Sequence, residues 1–177
     1  MSKAEHPYVA LAREAIHHRL VTGATVSIPA ERGDPPPTGV FVSLHEPAPT
    51  GQGEGPLRGC IGSIEPRERT LRTEIARSAV AAAFSDPRFP PLTSGEIDNL
   101  EITVYILGEP ELVADVSELD PKRYGVIVDG GGRRGVLLPA IPQIDSVATQ
   151  LAIARQKAGL AVGASARIYR FTADIYK

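Results

Sequence analysis

Strand and helix patterns follow one another here without a strict strand–helix–strand alternation, and that irregular order is what most limits the fold. Gly39–Leu44 sets Val40, Val42 and Leu44 on one face of a strand and Phe41 and Ser43 on the other. Leu57–Gly62 and Leu100–Leu107 read as further strands. Tyr124–Asp129 and Gly135–Leu138 read as a hairpin around Gly130-Gly131-Gly132-Arg133, and Arg167–Phe171 as a closing strand. Helical spacing predicts one helix from Pro7, with Tyr8, Leu11, Ala12, Ala15, Ile16 and Arg19 on a common face. A second is expected from Pro66 to about Phe84, with Leu71, Ile75, Ser78, Ala79 and Ala82 buried and alanines that allow close approach to a sheet. It should stop at Ser85-Asp86-Pro87. A third, capped by Asp145 or Ser146, turns Val147, Leu151, Ala154 and Ala158 inward, with Gly159 just past its end. Parallel units need regular crossovers, so this order points to an α+β fold, with helices packed on a mixed or mostly antiparallel sheet. At 177 residues it forms a single domain over residues 1–177, long enough for a core without staples.

Composition narrows the function classes. One cysteine excludes an intrachain disulfide, so folding needs no oxidising compartment. A net charge of −2 argues against a broad electrostatic grip on nucleic acid. Met1–Leu20 carries Lys3, Glu5, Arg13 and Glu14 with no apolar core of a signal peptide, and no apolar run approaches the roughly 20 residues that span a bilayer. The expectation is a cytoplasmic protein with no membrane association. Ala30–Thr38, with three consecutive prolines, and Glu46–Pro56, rich in Gly and Pro, read as loops. The second runs into Leu57 and is either a lid or a plain hairpin connection.

The only cysteine stands in Leu57-Arg58-Gly59-Cys60-Ile61-Gly62. In a regular strand Arg58 and Cys60 share a face, about 7 Å apart along the chain. A guanidinium there would favour the thiolate, the nucleophilic form. Leu57 and Ile61 would face a core. Glycines in a strand mark close backbone approach, so Gly59 and Gly62 are candidates for admitting a substrate to backbone N–H groups. The bland alternative is a small buried thiol and a surface arginine. Asp86-Pro87-Arg88-Phe89-Pro90-Pro91 is a loop stiffened by three prolines, presenting Asp86, Arg88 and Phe89 in a set arrangement. They line the pocket of Cys60 or, failing that, form a helix stop with a local ion pair and a core plug.

Other patterns carry less. Gly130, Gly132 and Gly135 satisfy G-x-G-x-x-G, but a second strand follows instead of the helix that would receive a pyrophosphate, so a turn explains them better. Adjacent His17 and His18 point about 100° apart and read as solvated. With no CxxC, HxxxH or HExxH, no metal site is expected. His45 can serve Cys60 as a base only if their strands are neighbours. The scattered aromatic residues offer no base-stacking platform.

Leu57–Gly62 resembles the signature hexapeptide of the AMMECR domain family. Ser63-Ile64-Glu65-Pro66, Ala82–Leu92, Gly131–Pro139, Lys157-Ala158-Gly159-Leu160 and Tyr169-Arg170-Phe171-Thr172-Ala173 resemble its later blocks, in order, across nearly the whole chain. Prokaryotic members look like protein A of the AmmeMemoRadiSam system. The resemblance implies an α+β body, with both chain ends in a larger lobe and a smaller lobe from the middle. It strengthens Asp86 and Arg88 as site residues. One reading is a thiol-dependent enzyme or enzyme subunit without a cofactor, acting on a small anionic substrate: Cys60 and Asp86 catalytic; Arg58, Gly59, Gly62, Arg88 and Phe89 substrate-binding. The other is a non-catalytic adaptor for Memo-like and radical S-adenosylmethionine partners. An RNA-binding module is the third and weakest.

Overall fold

The computed structural model describes residues 5–29, 31, 33–49, 51, 53–161 and 163–177. In chain order it contains α1 (Pro7–Thr22), β1 (Val40–His45), β2 (Leu57–Ser63), α2 (Leu71–Phe84), β3 (Glu101–Leu107), β4 (Glu111–Leu112), β5 (Gly125–Gly130), β6 (Arg133–Leu137), α3 (Val147–Lys157), β7 (Arg167–Phe171) and β8 (Ala173–Tyr176). The strands form two four-stranded sheets, ordered β2-β1-β3-β8 and β4-β7-β5-β6. The chain divides into two compact units. One runs up to Ile106 and takes in Ile175–Lys177; the other is Leu107–Asp174. The expected α+β class is therefore observed, with the closing residues in the same unit as α1. Among the described residues no helix is long and apolar enough to cross a membrane.

In the first unit β1 pairs antiparallel with β2 on one side and β3 on the other. Period-two alternation sends Val40, Val42 and Leu44 of β1 and Ile102 and Val104 of β3 into one core. There they meet Ile75, Ala79, Ala82 and Ala83 of α2 and Val9, Ala12 and Ile16 of α1. Each buried branched side chain contributes about 1.5–3 kcal/mol. Pro7 occupies the first turn of α1, and the His6 ring accepts from the Tyr8 N–H as a cap. The second helix starts at Leu71, five residues later than Pro66. The reason is local: Thr70 and Thr73 form a reciprocal capping box, while the Arg67 and Glu68 N–H groups donate to the Glu74 carboxylate instead of entering a helix. That carboxylate is fully buried and also takes Ser63 Oγ and Arg77.

In the second unit β5 and β6 form the expected hairpin. Gly131 and Gly132 both have positive φ, 58° and 73°, as a two-residue turn matched to strand twist requires. The glycine pattern thus leads into a strand and offers no helix N-terminus. Ser146 caps α3, and Gly159 (φ 63°) follows its end. Two features differ from expectation. Arg167–Phe171 does not close the fold: β7 lies inside the second sheet between β4 and β5, and the later β8 joins the first sheet. Two-residue β4 and four-residue β8 are too short for alternation to announce them. The loop readings of Ala30–Thr38 and Glu46–Pro56 fall partly on residues 30, 32, 50 and 52, and the N-terminal reading partly on residues 1–4; all lie outside the described residues.

Candidate functional site

An edge strand leaves alternate backbone groups unpaired, and β2 is the edge of the first sheet. At Cys60 those groups are taken by side chains. The Cys60 N–H donates to Asp86 Oδ2 at 2.9 Å, and Arg88 Nη2 donates to the Cys60 carbonyl at 3.3 Å. Asp86 and Arg88 grip each other as a fork, with Nε on Oδ1 at 2.9 Å and Nη2 on Oδ2 at 2.7 Å. The Arg88 N–H also donates to Asp86 Oδ1. This turn follows directly from α2, which ends at Ser85 because Pro87 cannot continue it. The Arg88 hydrogen bonds hold the Asp86 carboxyl down at about 2, with the Cys60 N–H helping, while Asp86 raises Arg88. Asp86 is buried, whereas the Arg88 side chain is 55% exposed. Its guanidinium lies 5.4 Å from the centre of the Phe89 ring. Cys60 itself is half-buried.

The Cys60 face extends across the sheet. Ser43 stands opposite Cys60, and Thr103 opposite Ser43. One step along, Phe41 stands between Gly62 and Tyr105. Burial pushes the Tyr105 phenol up to about 12, and the charges of Glu54 and Cys60 push the same way, while the nearby Ser43 hydroxyl pulls it down. His45, one pleat beyond Ser43, is buried. Its Nε2 is 3.7 Å from Glu54 Oε2, and Glu54 Oε1 in turn accepts from Lys177. Burial lowers the His45 pKa against the opposing pull of Glu54. The strands of His45 and Cys60 are neighbours, but the register sets Ser43, not His45, across from the thiol.

The arginine in the hexapeptide has a different setting from the one alternation implies. Leu44 pairs with Gly59 but His45 with Leu57, so Arg58 is an extra residue in β2 that interrupts the period between it and Cys60. Its buried guanidinium bonds Glu96 through Nε at 2.7 Å, and that bond, with those from Thr93, holds the Glu96 carboxyl at about 2. The cation beside Cys60 is Arg88. The two glycines are also accounted for within the chain. A Cβ at Gly59 would lie 2.2 Å from the Ala82 carbonyl oxygen, and one at Gly62 would meet the Phe41 ring at 2.4 Å. They bring α2 and Phe41 close to the strand, which gives both glycines a packing role.

The structure thus brings together Cys60, Asp86, Arg88 and Phe89, and sets Arg58 on a separate buried ion pair. Sequence reasoning missed Ser43, Tyr105 and Glu96 as neighbours. Ser43 had one visible signal, a polar residue on the non-core face of a strand. Chemically, a half-buried thiol beside an exposed, rigidly held guanidinium can receive an anionic electrophile. Among the described residues no group of three His, Cys, Asp or Glu side chains is placed to hold a metal ion.

Comparison with known proteins extends this geometry. The AMMECR1 family model matches residues 9–176. A Thermotoga maritima protein is 46% identical, with 98% of each chain covered. A Clostridium acetobutylicum protein is 42% identical over 87% of this chain but only 32% of its own length. The crystal structure of the uncharacterized protein PH0010 from Pyrococcus horikoshii superposes with a TM-score of 0.82 at 34% identity, covering 95% of this chain and 88% of that one.

Proposed function

This chain belongs to the AMMECR1 family, and from that premise we propose that it is a cytoplasmic, thiol-dependent enzyme or enzyme subunit acting on a small anionic substrate at Cys60. One observation carries the reading: Asp86 binds both the Cys60 amide and the Arg88 guanidinium, so the cation is held against the backbone of the residue that bears the thiol. Arg88 binds the anionic group. Cys60 attacks as thiolate, a form that a nearby cation favours. Asp86 is a positioning residue: held as a carboxylate near pH 2 and above, it is a fixed acceptor and not a proton donor. Phe89 supports the guanidinium from its ring face. Arg58 acts at a distance, through the Glu96 pair that anchors the start of β2.

The test uses the single thiol. Iodoacetate and iodoacetamide differ in charge but alkylate by the same displacement. The folded protein should favour iodoacetate, relative to a free thiol, by about threefold, the share of one partly exposed ion pair. Arg88→Gln should erase that preference. Equal ratios in both proteins, or labelling only after unfolding, would overturn the reading.

A second reading, a non-catalytic adaptor for Memo-like and radical S-adenosylmethionine partners, rests on the family resemblance, and the Clostridium acetobutylicum relative shows only that the matched region can be part of a longer chain. There the matched region is about a third of a longer chain, joined to further sequence. A Cys60→Ser protein that still binds such partners, alongside an Arg58→Ala protein that does not, would favour recognition over thiol chemistry.

A further inference from the structure

Ser43 lies directly across the β1–β2 ladder from Cys60, so the two side chains share a face about 5 Å apart. It is 3% exposed, and among the described residues its Oγ has no hydrogen-bond partner of normal geometry. The Tyr105 hydroxyl is near enough to feel it, without a bond of normal geometry. A buried hydroxyl left unpaired is costly, so it calls for an explanation, and a ligand or water that completes it is one. Ser43 lies on the sheet face opposite Val42 and Leu44, which pack in the core with α2.

The thiol has Arg88 on its outer side, at the sheet edge, and Ser43 on its inner side, one strand further in. A molecule attacked at Cys60 therefore carries its anion on one side of the electrophilic carbon and a hydrogen-bond acceptor on the other. We infer that Ser43 donates a hydrogen bond to the carbonyl oxygen of the molecule that Cys60 attacks, and that this molecule is a small 2-oxo acid with its carboxylate on Arg88. The inference rests on the thiol-site reading above and names its substrate class. The step is an addition: the Cys60 thiolate forms a bond to C2, the C=O π pair moves to oxygen, and that oxygen, held by Ser43, takes a proton from water to give a hemithioketal. Nothing is oxidised or reduced.

The experiment measures protection of Cys60 in the full chain from iodoacetamide by pyruvate, propionate or acetone. Pyruvate should protect at concentrations where the other two do not, because only it has both groups. With [2-13C]pyruvate, the ketone signal should move to the tetrahedral range on binding. Ser43→Ala should reduce the preference for pyruvate over propionate by about fivefold or more, the share of one hydrogen bond. It should leave both the iodoacetate preference and the urea midpoint in place, since among the described residues the hydroxyl makes no hydrogen bond of normal geometry. Equal protection by pyruvate and propionate in the unaltered protein overturns the inference. So does a Ser43→Ala protein with unchanged discrimination, which would mean a buried water only, or one with a much lower urea midpoint, which would make the hydroxyl structural. A missing iodoacetate preference instead removes the thiol-site reading first, and this inference with it.

Discussion

Both sheets meet their helix through a glycine. Gly59 lies under the Ala82 carbonyl in the first unit and Gly135 under the Ala154 carbonyl in the second, each leaving room for no Cβ. Beyond that shared device the two units part. Of the polar and charged side chains among the described residues, the first buries Ser43, His45, Arg58, Ser63, Thr70, Glu74, Ser78, Asp86 and Thr103, whereas the second buries only Gln150, which donates to the Tyr124 carbonyl. The ion pairs of the second unit, Asp129 with Arg134 and Arg167 and Glu111 with Arg170, involve arginines at least partly open to solvent. Buried polar groups cost stability unless completed. Their concentration on β1, β2, β3 and α2 and at the turn after it sets the first unit apart from the second.

The comparison breaks most readily at Glu74. Glu74→Ala removes the acceptor of Ser63 Oγ, two backbone N–H groups and Arg77 at once. It should lower the unfolding free energy by about 3–5 kcal/mol, read from urea melts. No ion pair of the second unit should approach that figure.

Gly59→Ala and Gly135→Ala come next, each forcing a Cβ against a helix carbonyl and costing about 2–3 kcal/mol. Hydrogen exchange should then sharpen the distinction. The Gly59 variant should lose protection in α2 and β2, and the Gly135 variant in α3 and β6, each sparing the other unit. Matching losses across both units would show that the two open as one.

Acid should act on the first unit before the second. Asp86 titrates at about 2 in the fold against 3.8 for the free carboxyl. The folded protein therefore binds fewer protons, and the stabilisation is complete above about pH 4 and lost as pH falls through 2. Allowing for solvent around Arg88, it amounts to about 2 kcal/mol. Glu96, also held at about 2, moves in the same direction. Asp86→Asn should lessen the fall of the urea midpoint between pH 4 and 2, leaving the share of Glu96 in place. An unaltered acid profile in that variant would place the titrating groups elsewhere.

The smallest effect is expected at the surface. Arg134→Ala should shift stability by less than about 0.5 kcal/mol, because its partner Asp129 keeps Arg167 and the Arg134 side chain is half exposed. A larger loss would mean that the second unit also relies on its charges.

Much of this contrast was legible in the chain. The faces of β1 and the core stripe of α2 follow from period 2 and period 3.6, because burial acts on every residue of such an element. The hairpin was readable from consecutive glycines, whose positive φ the turn requires. The hexapeptide marked the strand that carries the only cysteine. What could not be read was which arginine stands beside Cys60: the extra residue in β2 diverts Arg58, and only the register between Leu44 and His45 reveals it. Helix α2 starts late because a buried carboxylate draws the preceding N–H groups away, a competition that no propensity expresses.

By itself the sequence determined the element types, the inward faces, the turn at Gly131-Gly132 and the segment that carries the thiol. All of these depend on neighbours a few residues apart, where spacing and backbone preference suffice. The tertiary structure alone decided that β7 and β8 go to different sheets, that Asp86 ties Arg88 to the Cys60 strand edge, and that Ser43 faces the thiol. Those relations join residues 17 to more than 60 positions apart in the chain, and strand register and helix placement, set by how the whole core packs, are what bring them together.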